Sequence, residues 1–288
     1  MTYDYPVDFK DALEAFIDQA LKEDLGSGDV SGLACLDPDA SGKARCIVKQ
    51  SGVLAGVAMA GLIFKQYDPS LEFTPLLSDG ALVEQGAIAF EVSGPQQAII
   101  ATERLVLNCM QRMSGIATLT HETQSLIKHT SCKILDTRKT TPNFRLAEKW
   151  AVQIGGGTNH RIGLYDMVML KDNHIDYCGG VSKAIETTQA YLAREKRDIP
   201  VIVETRTLAE VAECLAFPGL YRILLDNMPV SLMREAVALV NGKIPTEASG
   251  NITKETIVSV AETGVDFISM GAITYSAGVL DISLKAVS

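Results

Sequence analysis

The N-terminal part of the chain combines helical and strand-like patterns of apolar positions. Apolar residues recur at helical spacing over residues 8–25, which predicts an amphipathic helix. Gly, Pro, Asp and Ser interrupt short apolar runs over residues 34–91, which indicates strands and turns around one helix at residues 55–67. A long helical pattern over residues 96–126 has Gly115 in its middle, as a break or a crossing point.

From residue 133 onward, apolar runs of strand length alternate with amphipathic helical patterns. Strands that are buried on both faces and alternate with helices indicate parallel βαβ units. At least five such units favour a (β/α) barrel, although an open doubly wound sheet remains an alternative. The predicted strands are 133–135, 167–170, 201–203, 222–225 and 266–269, and the predicted helices are 181–195, 208–215, 230–240 and 254–263.

Polar or small residues follow each of these runs and also a sixth run that ends at Ala248. In a parallel barrel the carboxyl ends of all strands meet on one rim, where active sites are built. One polar residue in such a place would only mark the end of a strand, but six in succession predict a functional rim. Its members are Arg138, Lys139, Lys171, Glu204, Asp226, Ser249, Gly250, Asn251 and Gly271.

The predicted rim combines cations, carboxylates and small residues. Three cations suit a multiply anionic ligand, because arginine can hold a carboxylate or a phosphate through two hydrogen bonds. Small residues that open a turn expose backbone N–H groups, which suits a phosphate. Glu204 and Asp226 suit ribose hydroxyls or Mg²⁺, which often binds through one or two carboxylates plus substrate phosphates. Salt bridges from these two carboxylates to the rim cations are an alternative interpretation.

A run of three glycines at residues 155–157, followed closely by His160 and Arg161, forms a second motif. Glycine permits backbone angles or a close approach that a side chain would block. The run has neither the Lys-Ser/Thr of a P-loop nor the GxGxxG spacing, which excludes a kinase or a dinucleotide-binding protein. His174 either lines the rim or caps a loop, and we favour capping.

Composition and charge restrict the classes of ligand. Hydrophobic residues make up 47% of the 288 residues and charged residues 21%, as in a globular protein. The net charge of −9 argues against a nucleic-acid or anionic-membrane surface, so any anion site must come from a local cluster of cations. The longest apolar stretch, residues 53–64, is too short to span a bilayer. Six scattered cysteines without a CxxC pair predict reduced thiols in a cytoplasmic protein.

Five motifs with consistent spacing connect these features. They are residues 136–142, 155–166, 170–175, 224–228 and 247–250, and they include Asp-Thr-Arg-Lys-Thr-Thr-Pro, Gly-Gly-Gly-Thr-Asn-His-Arg and Leu-Lys-Asp-Asn-His-Ile. The set resembles the signature of quinolinate phosphoribosyltransferases, also called nicotinate-nucleotide pyrophosphorylases (carboxylating). The resemblance runs nearly end to end, which makes it more specific than any single motif.

The resemblance implies a type II phosphoribosyltransferase with two domains. An N-terminal α/β sandwich would cover residues 1–115 and receive the final segment, 275–288, and an open α/β barrel would cover residues 116–274 and carry the active site. Quinolinate and 5-phosphoribosyl 1-diphosphate, with Mg²⁺ as cofactor, would give nicotinate mononucleotide, diphosphate and CO₂ in de novo NAD synthesis. The implied assembly is a homodimer with shared active sites, or a higher oligomer, with no nucleic-acid or membrane partner.

The resemblance also implies roles for individual residues. Arg104 would reach quinolinate from the partner subunit, and Glu204 and Asp226 would contact ribose and Mg²⁺. The implied catalytic residues are Lys139, Lys171, Glu204 and Asp226. The implied substrate pocket includes Thr137, Arg138, His160, Arg161 and Lys171, with Lys139 serving the carboxylates or the phosphates. The implied 5-phosphate site consists of Ser249, Gly250, Asn251, Met270 and Gly271.

Two places depart from the family pattern. Asn251 stands where a second glycine is expected, and Asn143 and Phe144 replace a smaller pair. Asparagine tolerates unusual backbone angles, so the phosphate turn is expected to persist.

Other classes of protein share parts of this pattern. A paralogue associated with molybdenum transport genes, or a nicotinate-using relative, would share the architecture, but the complete set of cations argues against both. A barrel aldolase would use Lys171 to form a Schiff base, although the nearby arginines better suit carboxylates. A binding protein could keep the pocket without releasing diphosphate.

Overall fold

The computed structural model describes residues 2–287, which form two compact units. The first, which we call the sandwich unit, contains Thr2–His121, Lys139–Gly156 and the chain from Ala272 onward. The second, the barrel unit, contains Glu122–Arg138 and Gly157–Gly271. The domain bounds expected from the resemblance, 1–115 and 116–274, remain predictions; the compact units differ from them chiefly in assigning residues 139–156 to the sandwich unit.

Helices and strands alternate along most of the described chain. Up to residue 126 they are α1 (Tyr5–Asp8), α2 (Lys10–Leu25), α3 (Val30–Cys35), β1 (Ser41–Val48), β2 (Gly52–Val53), α4 (Val57–Tyr67), β3 (Glu72–Pro75), β4 (Leu82–Val83), β5 (Ile88–Pro95) and α5 (Gln96–Leu126). From residue 133 onward they are β6 (Lys133–Leu135), α6 (Arg145–Ile154), β7 (Val168–Leu170), α7 (Asp172–Cys178), α8 (Val181–Arg194), β8 (Val201–Thr205), α9 (Leu208–Cys214), β9 (Arg222–Asp226), α10 (Val230–Val240), β10 (Thr246–Ser249), α11 (Ile257–Ala261), β11 (Phe267–Ser269), α12 (Ala272–Tyr275) and β12 (Ile282–Val287).

A four-stranded antiparallel sheet in the order β12-β1-β5-β3 lies at the centre of the sandwich unit. The end of β1 alternates buried and partly exposed residues, as expected where one face of a sheet packs on a core. Helix α4 packs against the sheet through Phe64, whose ring centroid lies 5.8 Å from those of Phe73 on β3 and Phe90 on β5. The C-terminal strand β12 pairs with β1, so the sheet includes both early and late parts of the chain.

The barrel unit contains a six-stranded parallel sheet in the order β6-β11-β10-β9-β8-β7. The five strands from β7 to β11 are neighbours in the order of the sequence, and β11 then pairs with β6. A doubly wound sheet would reverse its strand order at a switch point, and this sheet does not. The predicted open (β/α) barrel is therefore confirmed, with its open seam between β6 and β7.

The strand boundaries in the barrel unit agree closely with the apolar runs of the sequence. Strand β6 has the predicted bounds, and β7, β8, β9 and β11 differ from the prediction by one or two residues. Helix α10 also has the predicted bounds, whereas α11 is shorter than predicted. Helices α6 and α7 were not predicted.

Gly115 marks a crossing point and not a break, because α5 continues through it. A Cβ atom at residue 115 would overlap the backbone of Gly278 in the C-terminal segment. Gln111, one turn earlier, binds the same segment, since its carbonyl accepts from the Leu280 N–H at 3.0 Å and its Nε2 donates to the Ile282 carbonyl at 2.8 Å. Glycine at residue 115 lets the two backbones approach.

Two expectations from composition concern membranes and cysteines. Among residues 2–287, none of the helices combines the length and the apolar character that a membrane span requires. All six cysteines carry free thiols. Burial raises the pKa of Cys46, Cys109, Cys132 and Cys214 to about 12, so these thiols stay protonated and unreactive.

Candidate active site

The carboxyl ends of the barrel strands carry the predicted rim. Glu204 lies on β8, Asp226 is the last residue of β9, and Ser249 is the last residue of β10. Asp226 and Ser249 are register partners in neighbouring parallel strands, so they reach the same edge of the sheet. The predicted residues that follow β6, β7 and β11 in the same unit are Thr137, Arg138, Lys171, Met270 and Gly271.

Glu204 and Asp226 form the acidic part of the rim. Burial raises the pKa of the Glu204 carboxyl, and the negative charge of Asp226 raises it further. The charge of Lys171 and a hydrogen bond from the Asp172 N–H lower it in part. Two carboxylates that repel each other beside a lysine favour an additional cation or hydroxyl donors between them.

Lys171 is an exposed side chain on a fixed backbone. Lys171 directly precedes α7, and its backbone is extended, with φ −95° and ψ 169°. The Nδ1 atom of His174 accepts a hydrogen bond from the Lys171 N–H at 3.0 Å, which caps the first turn of that helix. The capping role predicted for His174 is therefore confirmed.

Arg138 and Arg161 form the basic part of the rim. Burial lowers the pKa of Arg161, and the positive charge of Arg138 lowers it further, so the two guanidinium groups lie within each other's field. Arg161 is 8% exposed, and its Nη1 donates to the Met167 carbonyl at 3.1 Å. Two like charges held together favour a ligand with more than one negative charge.

Asp136 anchors the segment that follows the glycine run. Its buried carboxylate accepts from the His160 N–H at 2.8 Å and from the Asn159 Nδ2 at 2.7 Å. Thr158 forms a parallel bridge with Leu135, on the edge of β6 that does not pair with β11. The motif therefore extends the sheet into the open seam, which carries His160 and Arg161 to the rim.

His160, Glu247 and Arg222 form a buried polar chain that the sequence analysis did not predict. The Nδ1 atom of His160 accepts from the Arg161 N–H at 2.7 Å, so Nε2 carries the ring hydrogen. That Nε2 faces the Oε2 of Glu247 at 3.4 Å, and the same oxygen accepts from Arg222 Nη1 at 2.6 Å. Burial alone would raise the pKa of Glu247, but His160 and Arg222 lower it to about 2. The sequence contained a signal of this buried chain, because Arg222 is a charged residue in an apolar run of strand length.

The turn after β10 relies on two residues with positive φ. Gly250 has φ 99° and Asn251 has φ 50°, so asparagine adopts the angle expected of glycine at this departure from the family pattern. The Asn251 Nδ2 donates to the Asn227 Oδ1 at 3.1 Å. The side chain of Asn251 thus bonds to the protein, and the backbone of the turn is the part suited to a phosphate.

Two further predicted cations, Lys139 and Arg104, belong to the sandwich unit and not to the barrel unit that carries the rim. Lys139 has an exposed side chain, and its carbonyl accepts from the Thr274 hydroxyl at 2.9 Å. Arg104 is exposed on α5.

Glu148 and Arg112 fix the loop after Lys139, and neither was predicted from the sequence. The buried Glu148 carboxylate accepts from the Thr141 N–H at 3.0 Å, from its hydroxyl at 2.9 Å and from Arg112 Nη2 at 3.0 Å. Arg112 also donates to the carbonyls of Thr274 and Ala277, both at 2.6 Å. The ion pair between Arg112 and the buried Glu148 therefore connects the loop to the end of α12.

A closed metal cage is absent from the part of the chain that the structure describes, where no three His, Cys, Asp or Glu side chains are grouped to hold an ion. Glu204 and Asp226 would suit Mg²⁺ as an open site, because Mg²⁺ in proteins often binds through one or two carboxylates together with substrate phosphates.

The fold and the rim together define a class of protein, a parallel α/β barrel that binds a multiply anionic small molecule at the carboxyl ends of its strands. Family models agree with both parts of the chain. "Quinolinate phosphoribosyl transferase, C-terminal domain" matches residues 116–285, and "Quinolinate phosphoribosyl transferase, N-terminal domain" matches residues 29–114. The chain belongs to the quinolinate phosphoribosyltransferase family.

Relatives with similar sequences and structures support this membership. The chloroplastic nicotinate-nucleotide pyrophosphorylase [carboxylating] of Oryza sativa subsp. japonica is 50% identical over 95% of this chain and 77% of that protein. The mitochondrial quinolinate phosphoribosyltransferase [decarboxylating] 2a of Nicotiana tabacum is 48% identical over 95% of this chain and 82% of that protein. The structure of NadC from Streptococcus pyogenes matches with a TM-score of 0.89 and 37% identity, covering 100% of both chains.

Proposed function

We propose that this enzyme transfers the phosphoribosyl group of 5-phosphoribosyl 1-diphosphate to quinolinate with loss of CO₂. The products are nicotinate mononucleotide and diphosphate, in the de novo synthesis of NAD. The observation that carries the proposal is one rim, in a member of this family, that combines the cations Arg138 and Arg161 with the carboxylates Glu204 and Asp226. The two arginines suit a dicarboxylate such as quinolinate, and the two carboxylates suit a sugar phosphate with its metal ion.

The carboxylates serve the sugar. As the ring nitrogen of quinolinate bonds to C1 of the ribose and diphosphate leaves, positive charge builds at the ribose, and Glu204 and Asp226 stabilise it. Mg²⁺, when bound, neutralises charge on the diphosphate. The charge of Lys171 lowers the pKa of Glu204 in part and so favours the ionised form of that carboxylate.

The cations serve quinolinate. Arg138 and Arg161 hold its two carboxylates, with Thr137 and Lys171 completing the pocket, and His160 supports it by accepting a hydrogen bond from the Arg161 N–H. The carboxyl group beside the ring nitrogen then leaves as CO₂, and a proton takes its place on the ring carbon. The buried position of Arg161 keeps water away from part of this pocket, which strengthens its hold on an anion.

The remaining predicted residues serve the phosphates. Backbone N–H groups of the Ser249, Gly250 and Asn251 turn, together with Met270 and Gly271, hold the 5-phosphate. Lys139, with its exposed side chain, serves the diphosphate or the carboxylates.

The assembly and location form part of the same proposal. We infer a homodimer in which Arg104 of each subunit completes the quinolinate pocket of the other, which its exposure on α5 allows. The free thiols agree with a reducing cytoplasm, although the plant relatives carry chloroplastic and mitochondrial names.

The decisive experiment incubates the protein with quinolinate, 5-phosphoribosyl 1-diphosphate and Mg²⁺ and measures nicotinate mononucleotide, diphosphate and CO₂ in equal amounts. Omission of Mg²⁺ or of quinolinate should stop all three products. Nicotinate mononucleotide formed from nicotinate and not from quinolinate would overturn the proposed substrate. Substrate binding without release of diphosphate would identify a binding protein instead.

A further inference from the structure

Asn227 occupies the point where two turns of the rim meet. It follows Asp226, the last residue of β9, and its N–H donates to the carbonyl of Ser249, the last residue of β10, at 2.8 Å. Its φ of 51° lies in the left-handed region, which asparagine and glycine adopt most readily. The backbone of Asn227 therefore joins the two strand ends just before the chain turns away.

The side chain of Asn227 makes a second connection between the same turns. Its Nδ2 donates to the Asp226 Oδ2 at 2.8 Å, and its Oδ1 accepts from the Asn251 Nδ2 at 3.1 Å. An ionised carboxylate can only accept hydrogen bonds, so the order of donors is fixed, from Asn251 to Asn227 to Asp226. The side-chain amides of Asn251 and Asn227 therefore each have one orientation in this series of hydrogen bonds.

Packing adds a third connection. A Cβ atom at residue 250 would overlap the amide of Asn227, so the side chain lies directly against the backbone of the turn. Asn227 thus contacts the carboxylate of Asp226 on one side and the backbone of Gly250 on the other. A shift of this one side chain would move both.

We propose that Asn227 is a positioning residue that couples the carboxylate part of the phosphoribosyl site to its phosphate turn, and that Asn251 orients the amide of Asn227. The inference rests on the proposed function, in which Asp226 contacts ribose and Mg²⁺ and the turn holds the 5-phosphate. Asn227 joins the ends of β9 and β10, whereas Arg138 follows β6, which is separated from β9 by two strands of the sheet, so the loss of Asn227 should affect the phosphoribosyl substrate and spare quinolinate.

Glycine is the appropriate replacement, because it keeps the left-handed backbone and removes only the amide. Asn227→Gly and Asn251→Gly, singly and together, test the two steps of the chain. Asn241→Gly is the matched control: Asn241 also has a positive φ, 46°, but it ends α10 away from the strand carboxyl ends. This control reports the general effect of adding a glycine to the unfolded chain.

Steady-state kinetics should separate the two substrates. Asn227→Gly is expected to raise the KM for 5-phosphoribosyl 1-diphosphate by about tenfold, the effect of losing one hydrogen bond to a charged group. The KM for quinolinate should change by less than about twofold, and Asn241→Gly should behave as wild type. Asn251→Gly should give a smaller increase in the same KM and add nothing in the Asn227→Gly background, because the side chain of Asn251 acts only through Asn227, while its backbone is kept in both variants.

Equal changes in both KM values, or additive effects of the two glycines, would overturn the inference. If Asn227→Gly does not fold, the single Asn251→Gly variant decides, because an unchanged KM for 5-phosphoribosyl 1-diphosphate would remove the role of Asn251. Calorimetric binding of ribose 5-phosphate by the same variants separates this inference from the proposed reaction. If the wild-type protein shows no turnover but binds ribose 5-phosphate more tightly than Asn227→Gly does, the proposed reaction is wrong and the coupling stands. If the two proteins bind ribose 5-phosphate equally well, the coupling is overturned.

Discussion

The guanidinium groups of Arg138 and Arg161 lie close enough for their charges to interact. Glu204 and Asp226 lie near the carboxyl ends of the neighbouring strands β8 and β9. Each pair brings like charges together, and the repulsion between them is unfavourable when no ligand of opposite charge is bound. Buried support makes this arrangement possible, because Asp136 fixes the backbone of His160 and the N–H of Asp172 bonds to Glu204. At the scale of residues, the molecule therefore holds charge in place for ligands of opposite sign.

The first prediction concerns Arg138. Arg138→Ala should leave thermal unfolding close to that of wild type and reduce turnover by at least about 100-fold, because it removes a charge that the substrate carboxylates need. Arg234→Ala, on the exposed face of α10, is the control and should retain full activity. Wild-type activity in Arg138→Ala would contradict the assigned role.

A second prediction concerns the titration of Glu204. The charge of Asp226 raises the pKa of Glu204 and that of Lys171 lowers it. Asp226→Asn should therefore move the titration of Glu204 to lower pH, and Lys171→Ala should move it to higher pH. NMR of protein with ¹³C-labelled glutamate carboxyls would measure both, and shifts in the same direction would contradict the geometry.

A third prediction concerns stability and pH. Glu247→Gln keeps the side-chain volume but leaves the guanidinium of Arg222 buried without its carboxylate, which should cost about 3–5 kcal/mol at pH 7. The pKa of Glu247 lies at about 2, below its ordinary value of 4.5, so its contribution is complete above pH 4.5 and is lost as the pH falls toward 2.

Urea unfolding at pH 7 and at pH 3 would check this difference between wild type and Glu247→Gln. The gap between the two proteins should narrow at pH 3. A gap that is the same at both pH values would show that the lost stability comes from packing and not from the charge.

At the scale of elements, the barrel was predictable because its signals are local. Each strand is a short apolar run, and the residue that follows each run is visible in the sequence, which located Glu204 and Asp226. Helix α6 was missed because it buries Glu148 and Lys149, which interrupt its apolar pattern. The ion pair between Arg222 and Glu247 was missed because the two residues lie on different strands, β9 and β10. Their spacing along the sequence does not indicate that they are in contact.

The fourth prediction uses the crossing at Gly115. Gly115→Ala would place a methyl group against the backbone of Gly278, so it should destabilise the protein by about 1–3 kcal/mol despite the higher helix propensity of alanine. Gly278→Ala, on the other side of the crossing, adds its methyl group to open space and is the control. Differential scanning calorimetry would compare them; equal melting temperatures would contradict the close approach.

At the scale of the whole molecule, the proposed shared site gives a fifth prediction. Arg104→Ala and Arg138→Ala should each be inactive alone. After mixing, unfolding and refolding, half of the dimers should be mixed, and each would contain one site with both arginines, so about a quarter of wild-type activity should return. Activity that stays at the level of the separate variants would mean that each subunit supplies its own Arg104.

The pairing of β12 with β1 means that one edge of the sandwich sheet depends on a strand from a late part of the chain. The barrel unit ends at Gly271, so the residues of all its strands are translated before those of β12. Until then β1 has an unpaired edge, which is the part of a sheet to which a neighbouring chain can add a strand. A chain that lacks the six residues of β12 is therefore expected to aggregate through the exposed edge of β1, even though all of its barrel strands are present.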